Sequence, residues 1–146
     1  MAPLVSTIDI ARPPQDVFSY VADPARFAEW QHDVVRVRTE GDPLDPGSTF
    51  TTIRRIGGVE RTMTQEVVEV RAPGRWVVRG TDGPIRPQSS VTVEPLDGGA
   101  RSRVTFTLDF TGHGIGVPIV ALVRRQASKQ APTSYQNLKR RLENGR

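Results

Sequence analysis

The chain has 146 residues, of which 36% are hydrophobic and 25% are charged, a composition typical of one globular domain over residues 1–146. Cysteine is absent, which excludes disulfides, thiolate nucleophiles and cysteine-ligated metal sites. The net charge of +4 is uneven, because the segment from Arg124 to Arg146 holds seven basic residues and one acidic residue. Since these charges spread over about six helical turns, we interpret them as the solvated face of a helix and do not expect nucleic-acid binding.

No targeting or membrane-spanning segment is evident in the sequence. The first residues lack a basic region followed by an apolar run, so no signal peptide is predicted. No run of about 18 apolar residues is found, so no membrane span is predicted. A cytoplasmic location is the resulting expectation.

The chain begins with a predicted strand over residues 4–10, which two short helices follow. The Pro13-Pro14 pair suits a helix start, and the apolar spacing of residues 15–22 is helical. The Asp23-Pro24 pair ends that helix and caps a second one that ends near Trp30.

Evenly spaced turn signals then divide the chain up to residue 111 into strands. The runs between the turns are rich in Thr, Val and Ile, a pattern that predicts an antiparallel meander. The predicted strands are 34–40, 48–56, 59–71, 75–81, 86–95 and 101–111.

The Gly57-Gly58 pair predicts a two-residue turn, which determines the register of the two strands that it joins. In this register Arg54 lies directly opposite Arg61. Side-chain alternation then predicts one buried face, while the register of run 75–81 stays open because Trp, Val and Val are consecutive. The predicted inner face carries Phe50, Thr52, Ile56, Val59, Met63, Gln65, Val67, Ser89, Val91, Val93, Val104, Phe106, Leu108 and Phe110.

A long amphipathic helix is predicted over residues 116–143, where apolar residues recur at steps of three and four. Its inward stripe includes Leu122 and Tyr135. Pro132 lies inside it and removes one backbone hydrogen bond, so we expect either a kinked continuous helix or a loop between two shorter helices.

One helix about 10–12 Å across is too narrow to fill the inner face of a seven-stranded sheet. Either the two short helices close the remaining space or a cavity is left. Small and polar inward residues such as Thr52, Gln65 and Ser89 favour a cavity, because a tightly packed core prefers larger apolar groups.

The predicted order of elements is one strand, two short helices, six strands and a long helix. This is the order of the helix-grip fold. The sequence resembles the SRPBCC/START-like superfamily. The resemblance rests on the segments IARPPQDVFSYVADPARFAEW and GSTFTTIRRIGG, the block from TDGPIRPQ to VTFTLDF, and the terminal NLKRRLE. The similarity is to its polyketide cyclase/dehydrase and lipid-transport branch. This resemblance implies an α+β helix-grip fold: a curved seven-stranded antiparallel sheet, two short helices after strand 1, and a C-terminal helix packed across the sheet over an apolar cavity. It supplies no universal catalytic motif.

The predicted ligand-binding residues are those that the predicted faces direct into this cavity. They are Trp30, Phe50, Thr52, Arg54, Arg61, Met63, Gln65, Ser89, Val91, Phe106, Phe110, Leu122 and Tyr135.

Several polar residues have two interpretations. Arg54 and Arg61 form either a clamp for an anionic ligand group or a pair that reaches water near the hairpin tip. His32 is either a proton carrier at the cavity mouth or an exposed loop residue. The loop of residues 112–116, which contains His113, is interpreted as a connection to the long helix and not as a dinucleotide-binding motif.

The first functional hypothesis is non-catalytic binding of a small hydrophobic or amphipathic molecule, such as a lipid, an isoprenoid or an aromatic polyketide. The second is a cyclase, aromatase or dehydratase in which Arg54, Arg61, His32 and Tyr135 polarise carbonyls or move protons. No catalytic residue, metal or cofactor is assigned, and the sequence leaves a homodimer open.

Overall fold

The computed structural model describes residues 3–144. Its strands and helices follow the predicted order, and short 3-10 helices occupy Pro24–Arg26, Asp97–Gly99 and Gly114–Ile119. The elements are β1 (Leu4–Ile10), α1 (Pro14–Val21), α2 (Phe27–Trp30), β2 (Val34–Glu40), β3 (Thr49–Ile56), β4 (Val59–Arg71), β5 (Arg75–Asp82), β6 (Ile85–Leu96), β7 (Arg101–Gly112) and α3 (Val120–Asn144).

The seven strands form one curved antiparallel sheet in the order β1-β7-β6-β5-β4-β3-β2. Consecutive strands from β2 to β7 are neighbours, while β1 joins the far edge beside β7. Short turns account for the meander, because a two-residue or similar loop returns the chain only to an adjacent antiparallel position. The predicted α+β architecture is confirmed.

The Gly57-Gly58 turn sets the predicted register between β3 and β4. Arg54 pairs with Arg61, and Ile56 pairs with Val59. One expectation on this hairpin is wrong: Val59 is 53% exposed. It follows the turn directly, at the end of the sheet, where its side chain is open to solvent.

The register of β5 is now defined. Trp76 pairs with Val91 and Val78 pairs with Ser89, which turns both of these β5 side chains to the buried face. The indole Nε1 of Trp76 donates to the backbone carbonyl of Pro43 at 2.9 Å, so its polar atom is satisfied at the sheet margin.

The long helix starts later than predicted, at Val120, because Gly114–Ile119 forms a 3-10 helix that contains Pro118. It continues through Pro132 without interruption, so the interpretation as two helices joined by a loop is wrong. Pro132 and Ser128, whose carbonyl loses its helical partner, are both exposed. The unpaired carbonyl is therefore open to solvent, which makes a proline tolerable here.

Hydrogen bonds attach both ends of α3 to the sheet. Near its start, Gln126 accepts from the backbone N–H of Gly57 at 2.8 Å through Oε1 and donates to the carbonyl of Arg55 at 3.1 Å through Nε2. Near its end, Lys139 Nζ donates to the carbonyl of Asp9 at 2.6 Å. The helix therefore crosses the sheet from the β3–β4 hairpin to β1.

Two clusters of buried side chains lie on the inner face. The larger contains Phe18, Trp30, Trp76 and Phe106 from the helices and the sheet, and the smaller centres on Met63. Residues of both clusters also line a cavity between the sheet and α3. Over residues 3–144, none of the helices combines the length and the apolar character that a membrane crossing requires.

Candidate ligand-binding site

A partly enclosed cavity lies between the inner face of the sheet, α2 and α3, with a volume of about 130 Å³. For comparison, a cavity of about 150 Å³ is large enough to hold benzene. The enclosed space therefore corresponds to about one aromatic ring. A longer ligand would extend through the opening.

The cavity exists because the covering helix presents small side chains to it. Ala127, Ala131 and Ser134 of α3 line the space, together with Val123 and Gln130. Alanine and serine are too short to reach the curved sheet opposite, and the sheet contributes the similarly short Ser89 and Ser90. The space between sheet and helix predicted from the sequence is present.

The structure brings nine of the thirteen predicted site residues together around this cavity. They come from α2, from α3 and from every strand between β3 and β7 except β5. These nine are Trp30, Arg54, Met63, Gln65, Ser89, Val91, Phe106, Phe110 and Tyr135.

Four predicted site residues lie outside the lining. Phe50 is buried but stacks on Trp76 with ring centroids 5.9 Å apart, behind the wall that Trp76 itself forms. Thr52 is fully buried in the sheet, and its hydroxyl has no partner within residues 3–144. Arg61, although directly opposite Arg54, lines a separate surface pocket with Asp82 and Pro84. Leu122 is 49% exposed on the outer side of α3. Val123, the next residue, which the helical spacing also placed on the inward stripe, lines the cavity.

Aromatic rings form much of the wall. The ring of Tyr135 stacks on that of Phe106, with centroids 4.0 Å apart and an angle of 9° between the planes. Trp30 lies close to both, at 6.0 Å from Phe106 and 6.4 Å from Tyr135. Phe27 and Trp76 complete the group. Such a wall suits a flat apolar ligand, because ring faces and edges provide contact area with little side-chain entropy.

The Tyr135 hydroxyl is the most informative polar group in the site. Burial raises the pKa of Tyr135 to about 12, although the nearby positive charge of Arg54 acts to lower it. Its side chain makes no hydrogen bond with any other residue between positions 3 and 144. At neutral pH it is thus a protonated hydroxyl on a cavity wall, able to donate to or accept from a bound molecule.

Arg54 forms an ion pair with Asp33, with 3.1 Å between Nη1 and Oδ1. Both residues line the cavity, and their side chains are only 19% and 14% exposed. Of the two interpretations of Arg54 and Arg61, the anion clamp requires both side chains in the cavity. In the structure only Arg54 reaches the cavity, and a carboxylate already neutralises it. Asp33 was missed, because it lies in the turn before β2 and no sequence spacing connects it with Arg54.

Neither histidine lines the cavity. His32 is exposed, and its Nε2 lies 2.9 Å from Nδ2 of Asn137 on α3. His113 is exposed where the 3-10 helix begins. Residues 112–116 connect β7 to α3 as predicted, because they end β7 and start that 3-10 helix. The indole Nε1 of Trp30 is buried and unpartnered among residues 3–144.

Comparison with solved structures shows the fold. A START superfamily protein from Mycobacterium smegmatis matches with a TM-score of 0.79 at 14% identity, over 100% of both chains. The Zhui aromatase/cyclase from Streptomyces sp. R1128 matches with a TM-score of 0.78 at 14% identity, over 98% of this chain and 96% of that one. The di-domain ARO/CYC BexL matches at 0.72 and 17% identity, and this chain covers 47% of its length.

Sequence comparison adds two findings. The protein named Toxin Rv0910 of Mycobacterium tuberculosis is 24% identical over 140 residues, which covers 94% of this chain and 95% of that protein. The family described as polyketide cyclase/dehydrase and lipid transport matches residues 1–143. The match spans almost the whole chain and agrees with the helix-grip architecture, so the chain belongs to the polyketide cyclase/dehydrase and lipid transport family.

Proposed function

We propose that the protein binds a small hydrophobic or amphipathic molecule in the cavity between the sheet and α3 without transforming it. One observation carries the proposal: the aromatic-walled cavity contains the Tyr135 hydroxyl, which no other residue from 3 to 144 satisfies. A hydroxyl that lines a cavity without a protein partner is available to donate to or accept from a bound molecule. A ligand with a hydroxyl or carbonyl group supplies that partner.

The cavity volume limits the enclosed part of the ligand to about one ring. Burying about 150 Å² of apolar ring surface contributes roughly 4 kcal/mol at 25 cal/mol per Å², before the cost of association. One hydrogen bond to Tyr135 adds about 1 kcal/mol. We expect millimolar or weaker affinities for a single ring, and tighter binding for an isoprenoid or polyketide whose remainder contacts the cavity opening.

Charge recognition is weak in this proposal. Asp33 already neutralises Arg54 at 3.1 Å, so a ligand carboxylate has to compete with an existing ion pair. A neutral phenol or ketone faces no such competition. The proposed ligand class is therefore a neutral ring compound with one oxygen function.

The proposal is tested by filling the cavity. Native mass spectrometry of protein purified from its host shows whether a small molecule travels with it. In parallel, binding of 4-methylphenol is followed by tryptophan fluorescence, since Trp30 and Trp76 both line the cavity.

Ala131→Phe places a ring inside the cavity and should abolish binding. The matched control Ala121→Phe lies on the exposed side of the same helix and should bind normally.

Equal binding by Ala131→Phe and the unmodified protein would contradict this location of the site. Loss of binding in Ala121→Phe as well would show that the helix, and not the cavity, responds to the added ring. Thermal unfolding of each variant verifies that the fold is retained.

A second candidate function is an aromatase, cyclase or dehydratase activity. It is favoured by one feature of the cavity, namely that a neutral tyrosine hydroxyl shares the lining with the Asp33–Arg54 pair. Tyr135 would donate a hydrogen bond to a ketone oxygen while the walls hold the chain folded. Turnover of a poly-β-ketone analogue, lost in Tyr135→Phe, would establish it. Binding without turnover favours the first function.

A further inference from the structure

Three large apolar side chains project from the region where β7 leads into α3. Ile115 is 81% exposed, Val117 is 61% exposed and Leu122 is 49% exposed. They lie within eight residues of one another, in the 3-10 helix and the first turn of α3. Exposed apolar residues concentrated in this way indicate a contact surface more often than isolated ones do.

The backbone holds this segment firmly. Gly116 is buried against Pro84, so closely that an added Cβ would lie 1.9 Å from the Pro84 carbonyl oxygen. The backbone N–H of His113 also donates to that carbonyl at 2.8 Å. Because Gly116 faces inward, its neighbours Ile115 and Val117 are turned outward. Their exposure is thus built into the packing of the segment.

Cations accompany these apolar side chains. Arg125 and Lys129 follow Leu122 by three and seven residues, which places all three on one side of α3. Both are exposed. Arg124 does not belong to this group, because it is buried and paired with Asp109. We call the five residues Ile115, Val117, Leu122, Arg125 and Lys129 the docking face.

No acidic residue interrupts this part of the chain. Between Phe110 and Leu142 the sequence contains six basic residues and no Asp or Glu. The docking face therefore complements a negatively charged surface that also accepts apolar groups. A membrane with anionic lipids has both properties, since side chains enter the headgroup boundary while cations meet phosphates.

We propose that the docking face attaches the protein reversibly to an anionic lipid membrane. Nucleic acid would meet the cations but would leave Ile115 and Val117 in water. The proposal is independent of what the cavity binds. Membrane attachment would also bring the cavity close to the lipid, because Val123 and Ala127 of the same helix line the cavity.

The test uses the full chain in co-sedimentation with vesicles. We expect binding to vesicles rich in phosphatidylglycerol, weak or no binding to phosphatidylcholine vesicles, and a loss of binding as salt rises. The variant Ile115→Ser/Val117→Ser removes the apolar part, and Arg125→Gln/Lys129→Gln removes the charges. Each should lower the apparent vesicle affinity by about tenfold or more.

Matched controls lie elsewhere on the surface. Val5→Ser/Val68→Ser changes two exposed valines, at 61% and 44% exposure, and Arg36→Gln/Arg38→Gln changes two exposed cations of β2. Neither control should alter vesicle binding. The proposal is overturned if the controls weaken binding equally, or if the protein ignores phosphatidylglycerol. Binding of duplex DNA in place of vesicles overturns it too, as does a dimer that Ile115→Ser/Val117→Ser dissociates without any vesicle binding.

Discussion

The ring of Tyr135 lies parallel to the ring of Phe106, with centroids 4.0 Å apart. One residue comes from α3 and the other from β7, so the stack joins the helix to the sheet across the cavity margin. It fixes the Tyr135 ring while leaving the hydroxyl without a partner among the described residues. Packing and the proposed ligand recognition therefore involve different parts of one side chain and can be separated by substitution.

Tyr135→Phe keeps the stacked ring and removes only the hydroxyl. The free energy of unfolding should change by less than about 1 kcal/mol, because no intramolecular hydrogen bond is lost. Affinity for 4-methylphenol should fall by roughly three- to tenfold, the value of one hydrogen bond. Chemical denaturation and fluorescence titration measure the two effects.

Tyr135→Ala is the companion variant, in which the ring is lost too and about 3 kcal/mol of stability should disappear. If Tyr135→Phe binds the phenol as tightly as the unmodified protein, the hydroxyl has no part in recognition.

Alkaline pH should destabilise the fold through its tyrosines. Burial raises the pKa of Tyr135 to about 12, while an unfolded tyrosine ionises near pH 10. The folded state therefore keeps a proton that the unfolded state loses, so this contribution to stability is complete below pH 10 and declines as the pH rises towards 12. Stability measured from pH 8 to pH 12 by denaturation should fall, and less steeply in Tyr135→Phe. An identical slope in both proteins would refute the assignment.

Breaking the pair between Arg54 and Asp33 should destabilise the protein. Asp33→Asn leaves a largely buried guanidinium without its carboxylate, at a cost of about 2 kcal/mol, below the value for fully buried pairs. The double variant Arg54→Met/Asp33→Asn should recover part of that loss. As a control, Glu60→Gln breaks the exposed pair with Arg55 and should cost no more than about 0.5 kcal/mol. Additive effects in the double variant would show that the two groups do not interact.

Gly116 should tolerate no side chain. The atom nearest to an added Cβ is a backbone oxygen, at 1.9 Å, so Gly116→Ala forces the 3-10 helix away from Pro84. We expect a loss of roughly 2–3 kcal/mol in thermal or chemical unfolding. Gly74→Ala is the control, because the corresponding distance there is 3.5 Å. Similar stabilities for the two variants would show that the segment is not held as closely as the structure indicates.

Pro132→Ala should stabilise the protein. The substitution restores the helical N–H that proline lacks and removes the clash with the preceding turn, for a gain of about 1–2 kcal/mol after the greater freedom of the unfolded chain is counted. Thermal unfolding measures it. A decrease in the melting temperature would mean that the packing of α3 over the cavity depends on proline at this position.

Local sequence signals account for the β3–β4 hairpin. Gly57-Gly58 leaves room for only a two-residue turn, and from that turn the pairing of Arg54 with Arg61 follows by counting along the strands. The same counting wrongly predicted that Val59 is buried, because alternation indicates the face of the sheet but not how far along the strand that face is covered. It also failed to resolve β5, where three large residues are consecutive and only pairing with β6 decides which ones face inward.

The candidate site divides in the same way. Alternation and helical spacing assigned Met63, Gln65, Phe106 and Tyr135 to the inner face, where the structure has them. Asp33 was not predictable, because it lies in the turn before β2 and meets Arg54 only through the pairing of Val34 with Arg54 between β2 and β3.

The sequence by itself determined the order of the elements, the hairpin register and the presence of a one-sided sheet under a single long helix, since these depend on residues near one another in the chain. Only the tertiary structure decided which face of α3 turns inward. A rotation that exchanges Leu122 for Val123 leaves the apolar spacing almost unchanged. That choice is made by contacts from distant segments, such as Gln126 with the β3–β4 hairpin and Tyr135 with Phe106.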